Sequence, residues 1–188
     1  YTRKLRHNCE KSNLKFLVNV KKNLILLGMM GVGKSTLGKI VAKKQNLKFV
    51  DIDHNIEKRC LMTISEIFKK KGENFFRMKE EKEALDALDK DSCVIALGGG
   101  AFMNKKVRER ILKNSVSIWL DTNLKTLQKR VKRNDKRPLL DSVNSQALIN
   151  KLYAERKNVY KLANYKIDCD NLSKKNIVEK IIIFYEKQ

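Results

Sequence analysis

The chain of 188 residues is long enough for one domain with a continuous hydrophobic core and too short for two ordinary domains. Apolar residues make up 42% of it, yet they never form the run of roughly 18 that a membrane span needs. The formal net charge of +21 would suit a nucleic-acid-binding protein. However, lysine is spread through nearly every segment and no common nucleic-acid motif is present. We therefore expect neither a specific nucleic-acid partner nor a membrane partner.

Residues 1–22 precede the first predicted strand and contain one acid, Glu10, among many basic residues. They lack the apolar stretch of a secretory signal, so we interpret them as a poorly ordered basic extension. A remnant of an organelle transit peptide is the alternative. The predicted domain then spans residues 23–188.

The four cysteines lie far apart and match no zinc or redox spacing. They are Cys9, Cys60, Cys93 and Cys169. We expect reduced, structural thiols, which fits a cytoplasmic protein.

Short apolar runs alternate with helical patterns along the predicted domain. Strands are predicted at 24–27, 49–50, 94–97 and 116–120, with a weaker one at 165–167. Helices are predicted at 34–45, 54–60, 63–70, 77–89, 104–113, 123–132, 145–162 and 174–186. This alternation favours an α/β fold whose central parallel sheet, of about five strands, is flanked by helices.

A phosphate-binding sequence directly follows the first predicted strand. It reads Gly28-Met29-Met30-Gly31-Val32-Gly33-Lys34-Ser35, the pattern of a P-loop. Its glycines let backbone amides point at phosphate oxygens, at the positive end of the next helix. Lys34 would add a charge near the terminal phosphates, and Ser35 would offer its hydroxyl to Mg²⁺. The predicted nucleotide-binding residues of this segment are Gly31, Val32, Gly33, Lys34, Ser35 and Thr36.

Two acids, Asp51 and Asp53, stand at the end of the second predicted strand. Ligands of an open parallel sheet lie at the carboxyl ends of its strands. One acid could therefore hold the water shell of Mg²⁺ while the other accepts a proton from a substrate hydroxyl. Solvated acids in a turn are the alternative interpretation.

Arg77 and the run Gly98 to Gly100 are further candidates. The chain has 10 arginines against 32 lysines, and arginine is suited to bidentate contacts with a carboxylate or a phosphate. Three glycines at the end of the third core strand would let a ligand approach the main chain. Arg77 could instead only pair with nearby acids, namely Glu73, Glu80 or Glu81.

These motifs resemble the shikimate kinase family in order and spacing, over about residues 23–186. The resemblance rests on the P-loop, Asp51 to Asp53 with Ile56-Glu57, Ile64 to Phe68, Gly72-Glu73 with Phe76-Arg77, Gly98 to Gly100, Arg137 to Leu140, and Arg156 with Tyr160. It implies the three-layer P-loop kinase fold of that family, with a mobile lid at about residues 132–145.

On the nucleotide side, the resemblance implies that Lys34 contacts the phosphates, that Ser35 binds Mg²⁺ and that Asp51 does so through water. Arg130 would lie beside the adenine. Arg137 would close over the transferring phosphate from the lid.

On the substrate side, the resemblance implies that Asp53 contacts the hydroxyl groups of shikimate. Arg77 and Arg156 would bind its carboxylate, and Gly98, Gly99 and Gly100 would contact it through the main chain. The implied catalytic residues are Lys34, Asp53 and Arg137.

The implied activity is transfer of the terminal phosphoryl group of ATP to the 3-hydroxyl of shikimate, a step of the pathway to chorismate and the aromatic amino acids. The resemblance implies Mg²⁺ as cofactor, and we expect a monomer. Two alternatives stay open: another metabolite kinase of the same architecture, such as gluconate kinase, and a nucleotide-dependent nucleic-acid-binding protein suggested only by the charge.

The sequence departs from the family pattern at three places. Leu61 stands where the family commonly has glycine, and Asn158 and Val159 stand before Tyr160 where it commonly has proline. Pro138 is the sole proline of the chain, so the adenine-side loop at 170–173 lacks the proline often found there. These changes bear on adenine packing and leave the substrate motif intact.

Overall fold

A computed structural model describes residues 22–132 and 145–187. Its strands are β1 (Asn23–Leu27), β2 (Lys48–Asp51), β3 (Cys93–Ala96), β4 (Ser115–Asp121) and β5 (Tyr165–Asp168). They form one parallel sheet in the order β2-β3-β1-β4-β5. The predicted α/β fold with five strands is confirmed.

Helices connect the strands and cover the sheet. They are α1 (Lys34–Gln45), α2 (Ile52–Cys60), α3 (Ile64–Leu88), α4 (Lys105–Asn114), α5 (Leu124–Lys132), α6 (Ser145–Tyr160) and α7 (Lys174–Glu186). Helices α1 and α7 pack against each other, whereas α3, α4 and α6 all contact the short 3-10 helix Ala101–Met103. In the described ranges, no helix has both the length and the apolar character needed to cross a membrane.

Element α3 consists of two helical parts, as predicted for residues 63–70 and 77–89. A kink at Gly72, which has a non-helical conformation (φ 82°, ψ 170°), separates the two parts. A Thr63–Glu66 capping box starts α3. The second part begins directly after Gly72, earlier than predicted, and carries both Arg77 and Glu80.

The core consists of the three inner strands and the helix faces against them. Every residue of β1, β3 and β4 is buried, while β2 and β5 are partly exposed at the two edges. Because the strands are parallel, their carboxyl ends lie at one edge of the sheet, where ligands of such folds bind. The chain leaves β1, the middle strand, directly into the P-loop.

Two predictions fall on residues outside the described ranges. The N-terminal extension lies outside them except for Lys22. The interior of the predicted lid, including Arg137, also lies outside them. The described ranges end and resume at the two sides of the predicted lid, at the end of α5 and the start of α6. Among the predicted structural thiols, Cys60, Cys93 and Cys169 are free cysteines.

Candidate active site

The P-loop presents its backbone at the start of α1. Gly28, Gly31 and Gly33 all have positive φ values, of 138°, 79° and 105°. Gly33 is the N-cap of α1 and has no side chain to satisfy the first amides of the helix. Amides left in this way at the positive end of a helix form a phosphate-binding site.

Lys34 lies against this loop. Its Nζ donates hydrogen bonds to the carbonyl oxygens of Gly28, at 2.8 Å, and Met29, at 3.1 Å. The ammonium group is thus held at the loop where the terminal phosphates of a nucleotide would lie. Ser35 and Thr36 follow in the first turn of α1, as predicted.

Arg130 reaches the P-loop from α5. Its Nη1 donates a hydrogen bond to the carbonyl oxygen of Val32 at 3.3 Å. The two segments are close-packed, since a Cβ atom on Gly31 would lie 3.1 Å from Cγ2 of Val131. The arginine predicted beside the adenine therefore lies next to the phosphate loop.

Asp51 and Asp53 are both half-buried, but they face different partners. Asp51 ends β2 and caps α2, where Oδ1 accepts a hydrogen bond from the backbone N–H of His54 at 3.3 Å. Asp53 lies in the first turn of α2, and its Oδ1 would be 2.8 Å from a Cβ atom on Gly98. Both acids lie at the carboxyl edge of the sheet, and their roles toward Mg²⁺ and a substrate hydroxyl stay predictions.

The glycine triplet after β3 is surrounded by charged side chains. A Cβ atom on Gly98 would clash with the carboxylates of Glu80 and Asp53, and one on Gly100 would clash with the guanidinium of Arg77. A Cβ atom on Gly99 would lie 3.1 Å from Nη1 of Arg156. Glycine at these three positions therefore leaves room for the charged side chains around the triplet. Direct contact of this main chain with a substrate stays a prediction.

Arg77 lies between two glutamates on α3. Its Nη1 donates to Oε2 of Glu80 at 2.7 Å, and its Nε and Nη2 donate to Oε1 of Glu73 at 3.1 and 2.9 Å. Pairing with nearby acids, the alternative considered for Arg77, is thus observed for Glu73 and Glu80. Glu81 instead accepts a hydrogen bond from Asn104. These bonds use three of the five N–H groups of the guanidinium, and a third of the side chain is exposed.

Glu80 is a site residue that the sequence analysis named only as a possible partner of Arg77. Its side chain is 3% exposed. Burial raises the pKa of Glu80, Arg77 and Arg156 lower it, and the Asp53 carboxylate adds to the rise. All these groups therefore surround one carboxylate. The spacing of three residues from Arg77 on one helix face is the sequence signal that indicates the pair.

Helix α6 supplies the other wall of the site. Arg156 is 6% exposed, and the hydroxyl of Tyr160, one turn later, donates a hydrogen bond to the carbonyl oxygen of Gly99. Burial raises the pKa of Tyr160 to about 12, so the phenol stays protonated and can donate. A cavity of about 410 Å³ lies between these elements, and Arg77, Glu80 and Arg156 are among its lining residues.

The phosphate loop and the charged cluster are adjacent. A Cβ atom on Gly99 would lie 3.8 Å from both the carbonyl oxygen of Gly28 and the backbone nitrogen of Met30. Two arginines, a carboxylate and a phosphate-binding loop thus meet at one edge of the sheet. Such an arrangement can hold an acidic, hydroxylated molecule beside the terminal phosphate of a nucleotide.

Comparison with known proteins gives one consistent result. A family model described as shikimate kinase matches residues 30–186. A shikimate kinase of Sulfurihydrogenibium sp. is 44% identical over 161 residues, which cover 86% of this chain and 96% of that protein.

Solved structures agree with the sequence comparison. A shikimate kinase of Acinetobacter baumannii, in complex with shikimate, superposes with a TM-score of 0.84 at 30% identity, covering 89% of this chain and 94% of that one. A gluconokinase of Sinorhizobium meliloti superposes with a TM-score of 0.58 at 13% identity, covering 89% of this chain and 93% of that one. The second likeness concerns the fold alone.

Proposed function

This chain belongs to the shikimate kinase family, and we propose that it transfers the terminal phosphoryl group of ATP to the 3-hydroxyl of shikimate at the site described above. One observation carries the proposal: the glycine triplet, with Arg77 and Arg156 around it, adjoins the P-loop. Donor phosphate and acceptor hydroxyl can therefore be held side by side, which is the main requirement of phosphoryl transfer. Gluconate kinase is not favoured as the alternative, since the likeness to a gluconokinase does not extend beyond the fold.

Arg77 and Arg156 would bind the carboxylate of shikimate, and Asp53 would contact its hydroxyl groups. Both guanidinium groups approach the glycine triplet, and Asp53 approaches it at Gly98. Glu80 holds Arg77 in this position through the hydrogen bond at 2.7 Å. The positive and negative ends of the cluster thus match a substrate with a carboxylate at one end and hydroxyls at the other.

The 3-hydroxyl oxygen would attack the terminal phosphorus as the bond to the bridging oxygen breaks and ADP leaves. Asp53 would orient the hydroxyl or accept its proton. Lys34, held at the P-loop, would stabilise the charge that is spread over the phosphate oxygens in the loose transition state.

Two of the predicted residues, one in the first turn of α1 and one at the end of β2, fit Mg²⁺ as the cofactor. Ser35 and Asp51 offer hard oxygen ligands, and Mg²⁺ usually keeps several waters and binds through one or two protein groups plus substrate phosphates. When bound, the ion would neutralise charge on the phosphates.

A coupled assay of ADP release tests the function. We expect ADP release that requires shikimate and Mg²⁺, because the acceptor hydroxyl and the cation both take part in the transfer. The assay is run with shikimate, with gluconate and without an acceptor, each in the presence of Mg²⁺ or EDTA. Comparable turnover on gluconate, or none on shikimate, would contradict the proposal.

The lid arginine gives a second test. We expect Arg137→Ala to leave ADP binding nearly unchanged and to reduce turnover by about 100-fold or more, since loss of one contact to developing charge typically costs about 3 kcal/mol. Turnover is compared with that of Arg110→Ala, an arginine paired with Asp89 on the surface. Equal turnover of the two variants would remove Arg137 from the mechanism.

The remaining expectations are part of the same proposal. We propose a monomeric, cytoplasmic enzyme with residues 132–145 as its lid and residues 1–22 as an extension of the kinase domain. The free thiols at Cys60, Cys93 and Cys169 suit a reducing compartment. Light scattering of the purified chain would measure the oligomeric state.

A further inference from the structure

One carboxylate fastens the loop after β5 to the start of α5. Asp170 accepts hydrogen bonds from the hydroxyl of Thr122, at 2.5 Å, and from the backbone N–H and the side-chain amide of Asn123, at 2.8 and 2.9 Å. Hydrogen bonds to an ionised carboxylate are stronger than bonds between neutral groups. The loop and the start of α5 are therefore joined at three points by a single side chain.

Asn123 contacts both Asp170 and the first turn of α5. Its Oδ1 accepts a hydrogen bond from the backbone N–H of Thr126 at 2.8 Å and so caps α5. The same helix carries Arg130, which contacts the P-loop at Val32. Asp170 thus supports the segment that places Arg130 at the nucleotide site.

The loop itself needs such support. Asn171 has a left-handed conformation, with φ at 61°, which costs most residues free energy although asparagine tolerates it. Residues 170–173 contain no proline that would restrict the backbone. Burial raises the pKa of the adjacent Cys169 thiol to about 11, with Asp168 adding to the rise and the Arg130 charge opposing it. The Arg130 charge is thus one of the charges that act on this loop.

The topology indicates which end of a nucleotide would lie beside this loop. The acidic and glycine motifs of the substrate site, Asp53 and Gly98 to Gly100, follow β2 and β3 on one side of the middle strand. Phosphates bind at the P-loop after β1. A nucleotide whose terminal phosphate points at the substrate site must extend its base the other way, over β4 and β5. Arg130 and residues 169–173 lie on that side.

Building on the proposed kinase function, we propose that Asp170 is a positioning residue for the nucleoside end of ATP. Its carboxylate fixes the loop 169–173 and the start of α5 as the two walls of the base crevice. These hydrogen bonds restrict the loop although residues 170–173 contain no proline. Asp170 itself contacts neither phosphate nor shikimate.

Binding of ADP and of pyrophosphate, each measured by calorimetry with Mg²⁺, tests this role, because pyrophosphate has no base. For Asp170→Ala we expect a dissociation constant for ADP raised about tenfold and one for pyrophosphate changed less than about twofold. The Michaelis constant for ATP should rise in parallel, with that for shikimate unchanged. Asp170→Asn and Thr122→Val each keep part of the hydrogen-bond set and should give smaller increases of about threefold.

Asp86→Ala is the matched control, since Asp86 is also a partly exposed aspartate and lies on α3, beside α2 at the opposite edge of the sheet. It should change neither ligand's affinity. Equal weakening of ADP and pyrophosphate in Asp170→Ala, or no change for ADP in the milder variants, would overturn the inference. A wild-type chain that binds ADP but does not phosphorylate shikimate would overturn the proposed function instead, and the two binding measurements would still decide the role of Asp170.

Discussion

We expect Asp53→Asn to lower turnover by about 10²- to 10⁴-fold, the usual contribution of a positioned proton-transfer group. Asparagine keeps the shape and some hydrogen bonding of aspartate but cannot accept the proton of the shikimate hydroxyl. The Michaelis constant for shikimate should change far less, and ADP binding should be preserved because the P-loop is untouched. The loss therefore appears in kcat, as expected for an interaction that matters most in the transition state.

Steady-state kinetics and melting temperature are measured on the same preparation of Asp53→Asn. Removing the Asp53 charge relieves its repulsion of the buried Glu80, so the melting temperature is needed to separate a change in stability from a change in turnover. Asp86→Asn, made and purified in the same way, controls for loss of a surface carboxylate. A turnover number within about threefold of the wild-type value would exclude Asp53 from the chemical step.

The elements most visible in the sequence are those buried on both faces. In β1, β3 and β4 every position is buried, so the strands appear as mainly apolar runs, although Ser117 interrupts the run in β4. Strand β5 is an edge strand with exposed positions at Lys166 and Asp168, and the sequence signal for it is correspondingly weak. The break between the two parts of α3 could be predicted because Gly72 readily adopts the positive φ found there, whereas the start of the second part, directly after Gly72, has no comparable sequence signal.

The P-loop could be predicted because its chemistry lies within eight consecutive residues. The charged cluster could be predicted only in part, because its contacts join distant segments. Glu80 meets Gly98 and Asp53 across three elements, and only its pairing with Arg77 is local in sequence. Asp170 and Thr122 are 48 positions apart and are brought together by the parallel pairing of β4 with β5. Neither contact leaves a periodic or motif signal.

The largest effect on substrate recognition is expected from loss of Arg77 or Arg156, the two arginines at the glycine triplet. If Arg77 and Arg156 bind the carboxylate of shikimate, loss of either removes a charge-assisted contact worth roughly 1.5 to 3 kcal/mol. The specificity constant for shikimate should then fall by about ten- to a hundred-fold or more in Arg77→Ala and in Arg156→Ala. ADP binding should barely change in either variant.

The ion pair of Arg77 with Glu80 makes a structural role the competing explanation, and the chain contains a matched control. Arg59 pairs with Glu83 at 2.8 Å in the same manner, since the Glu83 side chain is 5% exposed and that of Glu80 is 3% exposed. Arg59→Ala and Arg77→Ala each remove the ion-pair partner of a buried carboxylate, so both should lower the melting temperature. Only Arg77→Ala should also raise the Michaelis constant for shikimate, and it should still do so when Glu80→Gln removes the unpaired charge. A Michaelis constant unchanged in both Arg77→Ala and Arg156→Ala would refute the carboxylate assignment and leave Arg77 with the structural role that Arg59 has.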